Sequence, residues 1–248
     1  MRVTLQPAYV IHSRPYRDSS ALLDVFTAEY GRISLVARGA RRPQRRSGSA
    51  AMLQPFTPLL LSFSGHAQLK SLVATESARA MISLRGERLF SGLYLNELLV
   101  RLLHRNDAHP TLFAAYDEAL QALAGATAVD AVLRRFELTL LDELGYGFDP
   151  GVEAASGEVI QAANWYRYDP GIGLVAAPED NRIGAVFSGA DLLALAAGEL
   201  GGPARLAAKR LLREALAVHL GAEPLRSREL FRTAPASEAN VHSPPPKD

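Results

Sequence analysis

The sequence contains no cysteine. That excludes disulfides, cysteine-zinc sites and a cysteine nucleophile, and it suits a cytosolic protein. Long hydrophobic runs are also missing: no apolar stretch approaches the ~18 residues that a membrane span needs. The N-terminal residues MRVTLQPAYVIHSRPYRDSS hold no apolar signal core and no small-residue cleavage site, so no secretion is expected. Acidic residues are absent between Gly31 and Thr75. Tryptophan occurs once, as Trp165.

The usual catalytic signatures are lacking too. There is no phosphate-cradling G-x-x-x-x-G-K-[ST] loop, no H-E-x-x-H and no G-x-S-x-G. His12, His66, His104, His109, His219 and His242 are scattered, with no pair at i, i+4. No metal or cofactor is therefore expected. Gly145-Tyr146-Gly147 and Gly171-Ile172-Gly173 read as turns. Asp117-Glu118 and Asp142-Glu143 read as solvated carboxylates. With no catalytic constellation, a binding protein is favoured over an enzyme.

What is present begins with charge. The net charge of +1 hides a split, because residues 1–75 carry ten basic and three acidic side chains. Such asymmetry points to a polyanionic partner for the basic part. Within it, RGARRPQRRSGS (residues 38–49) places five arginines in nine residues. A length of 248 residues allows one large or two modest domains.

Five short apolar runs precede residue 80: Ala8–Ser13, Ala21–Gly31, Arg32–Gly39, Phe56–Gly65 and Ala67–Ser77. Partial alternation, β-branched and aromatic content, and Gly or Ser punctuation mark them as strands. Five strands in so short a segment make a small barrel. An OB-fold fits and has oligonucleotide-binding precedent; the pattern alone leaves an SH3-like barrel open. The arginine cluster then falls between the third and fourth strands, as a solvated basic arm. Tyr16 and Tyr30 are the aromatic side chains best placed for base stacking.

From Glu87 the period changes to that of helices. Segments 87–106, 109–125 and 128–145 are the first three, with Pro110 near a start and Gly125 and Gly145 as stops. Residues 191–200 and 204–220 follow, started by Ser188 and by Gly202-Pro203, and 227–231 forms a short last helix. Residues 148–180 read as a β-hairpin insertion anchored by Trp165, Tyr166 and Tyr168. The fold class is α+β: a five-stranded OB barrel (1–80), a helical domain (81–232) with its hairpin insertion (148–180), and a polar, Pro-rich disordered tail (233–248).

Six segments occur in one order: HSRPYRDSSALLDVFTAEYGRISLVARGARR, LQPFTPLLLSFSG, LFSGLYLNELL, LRRFELTLLDELGYG, AAKRLLREAL and PLRSRELFR. Together they resemble the RecO family of bacterial DNA-repair proteins, over roughly residues 8–232. The resemblance implies a recombination mediator that binds single- and double-stranded DNA and anneals complementary strands. It also implies help in loading RecA, with RecR, onto DNA coated by single-strand-binding protein (SSB), and so a cytoplasmic, nucleoid-associated protein. It further implies a helical-domain pocket for the acidic, apolar SSB C-terminal tail. Arg134 would pair with the tail carboxylate, and Leu133, Phe136, Leu140 and Leu141 would supply an apolar wall. Some family members carry a four-cysteine zinc site in the insertion, which this sequence lacks.

The expected phosphate contacts are Arg14, Arg32, Arg38, Arg41, Arg42, Arg45, Arg46 and Lys70. Such contacts hold a strand without reading its sequence. A second basic group, Lys209, Arg210 and Arg213 with Arg226, Arg228 and Arg232, either extends that surface or forms a solvated helix face. An RNA-binding OB module and a scaffold for an acidic partner are the alternative readings.

Overall fold

The computed structural model describes residues 1–41, 52–178 and 184–233. Five strands close into a barrel: β1 (Arg2–Tyr16), β2 (Ser20–Thr27), β3 (Gly31–Ala37), β4 (Leu59–Ser64) and β5 (Leu69–Ser77). Their order around the barrel is β1-β2-β3-β5-β4, and only the β3–β5 pairing is parallel, with Ser34 opposite Leu69. β1 runs well beyond its apolar centre at both ends. Register shifts at Val3/Gln6 and Val10/His12 bend it, so that one strand pairs with both β2 and β4. Leu5, at φ 52, sits inside the first shift. Extra residues of this kind sharpen the local twist that barrel closure needs.

The period of two along each strand explains how the barrel joins the rest of the chain. Ala8, Val10, Leu23 and Val25 point into the barrel core with Ile33, Leu35, Leu61 and Phe63. Their neighbours Tyr9, Ile11 and Phe26 point outward, yet they are buried in the helical core instead. Tyr9 meets the Tyr116 ring edge-on at 5.1 Å, and Phe26 meets Phe113 at 5.4 Å.

The helices are α1 (Gly86–Leu102), α2 (Pro110–Ala124), α3 (Val129–Glu143), α4 (Gly189–Ala196), α5 (Gly202–Leu220) and α6 (Ser227–Thr233). α1 is central and packs against β1 and against α2, α3, α5 and α6. Two of its arginines close other helices. Arg88 donates to the Leu123 carbonyl at 2.8 Å, and Arg101 donates to the Leu220 carbonyl at 2.7 Å. Both satisfy carbonyls that have no partner inside their own helix. Ser188 caps α4 by accepting from the Asp191 amide.

A third strand from beyond residues 148–180 joins the expected hairpin. β6 (Trp165–Asp169) pairs with β7 (Gly173–Ala176) and, on its other edge, with β8 (Val186–Ser188). β8 is only three residues long, too short to carry an alternation pattern of its own. Alternation buries Tyr166 and Tyr168 in the helical core and leaves Trp165 39% exposed. No described helix is long and apolar enough to cross a membrane.

Candidate functional site

One end of the barrel carries a groove of about 590 Å³. Three stretches build it: the β1–β2 turn (Tyr16, Arg17, Ser19, Ser20), the end of β3 (Val36, Arg38, Gly39) and the start of β5 (Leu69, Lys70, Ser71). Arg17, at φ 51, swings back so that its guanidinium lies 5.2 Å from the Tyr16 ring centroid. The Arg41 amide donates to the Ser19 carbonyl at 3.0 Å, which pins the start of the arginine-rich segment to the groove rim. Arg14, Arg17, Arg38 and Arg41 are all exposed. Arg42, Arg45 and Arg46 lie outside the described residues. Arg17 is not among the expected contacts; its place in the groove comes from the β1–β2 turn.

Two expected phosphate contacts are engaged within the fold. The Arg32 side chain is only 13% exposed. It donates to the carbonyls of Val100 and Leu103 at the end of α1 and lies 3.7 Å from Asp24. Burial lowers its pKa, opposed by the Asp24 carboxylate. Arg32 thus ties the barrel to α1. Lys70 is buried in the groove floor, where its ammonium donates to Asn106 at 2.7 Å and burial lowers its pKa. Tyr30, an expected stacking residue, packs edge-on against Phe63 of the barrel core.

A second cavity, about 330 Å³, opens between α1, α3, α5 and α6. Glu87, Ser91 and Tyr94 line it from α1. Val129, Asp130, Leu133, Arg134 and Glu137 come from α3, Lys209 and Arg213 from α5, and Arg228 and Phe231 from α6. Arg134 is 5% exposed and Glu137 1%. Arg134 Nη2 and the Tyr94 hydroxyl both donate to Glu137 Oε1, at 2.8 and 2.7 Å. Among the described residues, Glu137 Oε2 and Arg134 Nε have no partner. Burial drives the Glu137 carboxyl above its ordinary pKa, against the pull of Arg134, Tyr94, Arg228 and Lys209. Four cations thus surround a mixed polar and apolar pocket.

Helical geometry sorts the expected pocket residues. Positions 130, 133, 134 and 137 share one face of α3, so Leu133 and Arg134 line the cavity. Phe136 faces α2 across a separate cavity of about 100 Å³. Leu140 and Leu141 are in the core. The two therefore supply no wall to the larger cavity. The second basic group divides as well. Lys209, Arg213 and Arg228 meet Arg134 around the cavity. Arg210 lies over the Phe187 ring at 5.6 Å. The Arg226 amide donates to Glu97 on α1. The Arg232 side chain lies outside the described residues. Among the described residues, no cluster of three or more His, Asp or Glu could hold a metal.

Two family models cover most of the chain: recombination protein O N terminal matches residues 1–81, and recombination protein O C terminal matches residues 84–229. The chain belongs to the RecO family. Curated relatives agree along nearly the full length. The DNA repair protein RecO of Nitrosococcus oceani is 48% identical over 232 residues, covering 93% of this chain and 94% of that protein. That of Stutzerimonas stutzeri is 48% identical over 91% of this chain and 92% of its own. That of Methylococcus capsulatus is 45% identical over 94% and 95%. In RecO terms, the groove lies in the N-terminal part and the four-cation cavity in the C-terminal part.

Proposed function

We propose that this protein is a non-enzymatic, DNA-binding mediator of recombinational repair, acting in the cytoplasm at the nucleoid. The barrel groove and the arginine segment beside it capture single- and double-stranded DNA by neutralising phosphates and releasing counterions. Two strands held on one cationic surface repel each other less, which is the physical route to annealing. The cavity between α1, α3, α5 and α6 takes the acidic, apolar C-terminal tail of SSB and so brings the protein to coated DNA, where it acts with RecR to load RecA. Arg134, Lys209, Arg213 and Arg228 would meet the tail carboxylates, and Leu133 and Phe231 its apolar side chains.

The observation that carries the DNA reading is the convergence of exposed Arg17 and Arg38 with Tyr16 in one groove, at the point where the five-arginine segment departs. The test is the salt dependence of binding to a labelled single-stranded oligonucleotide, for wild type and for a variant with Arg41, Arg42, Arg45 and Arg46 all changed to Ala. Loss of four phosphate contacts flattens the slope of log K against log salt by up to ~3 units, at about 0.7 per contact. An unchanged slope would remove the arginine segment from the interface. Competition with a matched RNA oligomer separates DNA from RNA preference.

A further inference from the structure

Glu137 is an unusual residue to find in a site for an anionic ligand. It is a fully buried carboxylate in the wall of a cavity whose other buried charge is Arg134. Both neighbouring donors, Tyr94 and Arg134, converge on Oε1, and Oε2 has no partner among the described residues. A buried oxygen without a partner costs more when it carries charge than when it carries a proton. While ionised, Glu137 also cancels much of the Arg134 charge that a ligand carboxylate would use.

We propose that seating an acidic peptide in this cavity is coupled to uptake of a proton by Glu137, so that this residue sets the pH range in which the site is occupied. This rests on the peptide-site reading above. The proton comes from solvent and adds to Oε2, which converts the carboxylate to the neutral acid. Oε1 keeps both of its hydrogen bonds. Arg134 is then left with an uncompensated charge toward the incoming carboxylate. The groups facing Glu137 are Tyr94 and Glu87 from α1, Arg134 and Asp130 from α3, Lys209 and Arg213 from α5, and Arg228 from α6. None is a histidine. Burial already holds the Glu137 carboxyl above its usual range, and a second negative charge nearby raises it further. Peptide carboxylates titrate near ~4, below the range that matters here.

The experiment uses the full chain and an N-acetylated, labelled peptide of acidic residues followed by an apolar free C-terminus. Affinity is measured from pH 5.5 to 9, together with calorimetry in two buffers of different ionisation enthalpy. Wild type should weaken by up to about tenfold per pH unit through the transition, which is the slope that linkage assigns to one proton. The calorimetry should show matching proton uptake. Glu137→Gln should bind with no uptake and a flat profile, whereas Glu158→Gln, exposed and outside the cavity, should keep the wild-type slope. Tyr94→Phe removes a donor to the ionised form and should move the transition to higher pH; it serves as a second probe should Glu137→Gln not fold. Binding by wild type without proton uptake, or uptake that persists in Glu137→Gln, overturns the coupling and leaves the peptide site standing. No binding by wild type at any pH overturns both.

Discussion

Gly31 is constrained by a residue far along the chain. It ends the β2–β3 turn at φ +60, and a Cβ there would overlap the carbonyl of Asp107 in the α1–α2 connection. Gly31→Ala should cost about 3 kcal/mol, from left-handed backbone strain plus overpacking at a joint that cannot relax easily. Denaturant unfolding checks this, and the loss should appear without any change in net charge. Arg32, next in sequence, shows the same dependence on a distant partner. Its guanidinium holds the end of α1, so Arg32→Ala should lower stability and leave the DNA salt slope within error of wild type. Arg38→Ala should do the reverse and flatten the slope by about 0.7 on single strands.

α6 is held less by its own seven residues than by one carboxylate on α1. Glu97 accepts from the Arg226 amide at 2.9 Å and from the Ser227 amide and hydroxyl at 2.8 and 2.6 Å. Burial pushes this carboxyl up, but the three hydrogen bonds outweigh it, and its pKa ends below the ordinary 4.5. A depressed carboxylate contributes stability above its unfolded value and loses it as pH falls through the folded one. Protection of α6 amides from hydrogen exchange should therefore fall below pH 4.5, before the barrel opens. Glu97→Gln should weaken that protection at neutral pH by about 1 kcal/mol and abolish its acid dependence. Because α6 carries Arg228 and Phe231 into the cavity, the same variant should bind an acidic peptide less tightly. A preserved acid response in Glu97→Gln would place the coupling elsewhere.

Across the whole molecule, the two cationic sites belong to different parts of the fold: the groove to the barrel, the cavity to the helices. They should fail independently. Lys209→Glu with Arg213→Glu, both on exposed positions of α5, should weaken acidic-peptide binding by at least about tenfold, or ~1.4 kcal/mol. The oligonucleotide salt slope should stay unchanged. A flattened DNA slope in that double variant would mean that the helical cations also hold phosphate, and that the second basic group is one continuous surface with the first.

Strand and helix periods were readable because each is a local property. Alternation before residue 80 and 3.6-residue spacing after 86 place the barrel and the helices. The acid-free interval marks the basic part because charge needs no partner to be counted. Which face of an element meets which neighbour depends on packing between residues far apart in the chain. Leu133 and Phe136 look equivalent in the string, and only the docking of α3 between α1, α2 and α5 sends one to the cavity and the other to the α2 side. Arg32, Arg88 and Arg101 look like surface cations until carbonyls more than thirty residues away close around them. β8 has too few residues to announce itself and becomes a strand only when β6 supplies the partner. Composition and period decided the elements and the sign of the charge; the tertiary structure decided which charges are spent holding the fold and which remain to meet a ligand, because desolvation and hydrogen bonding act only once distant residues are brought together.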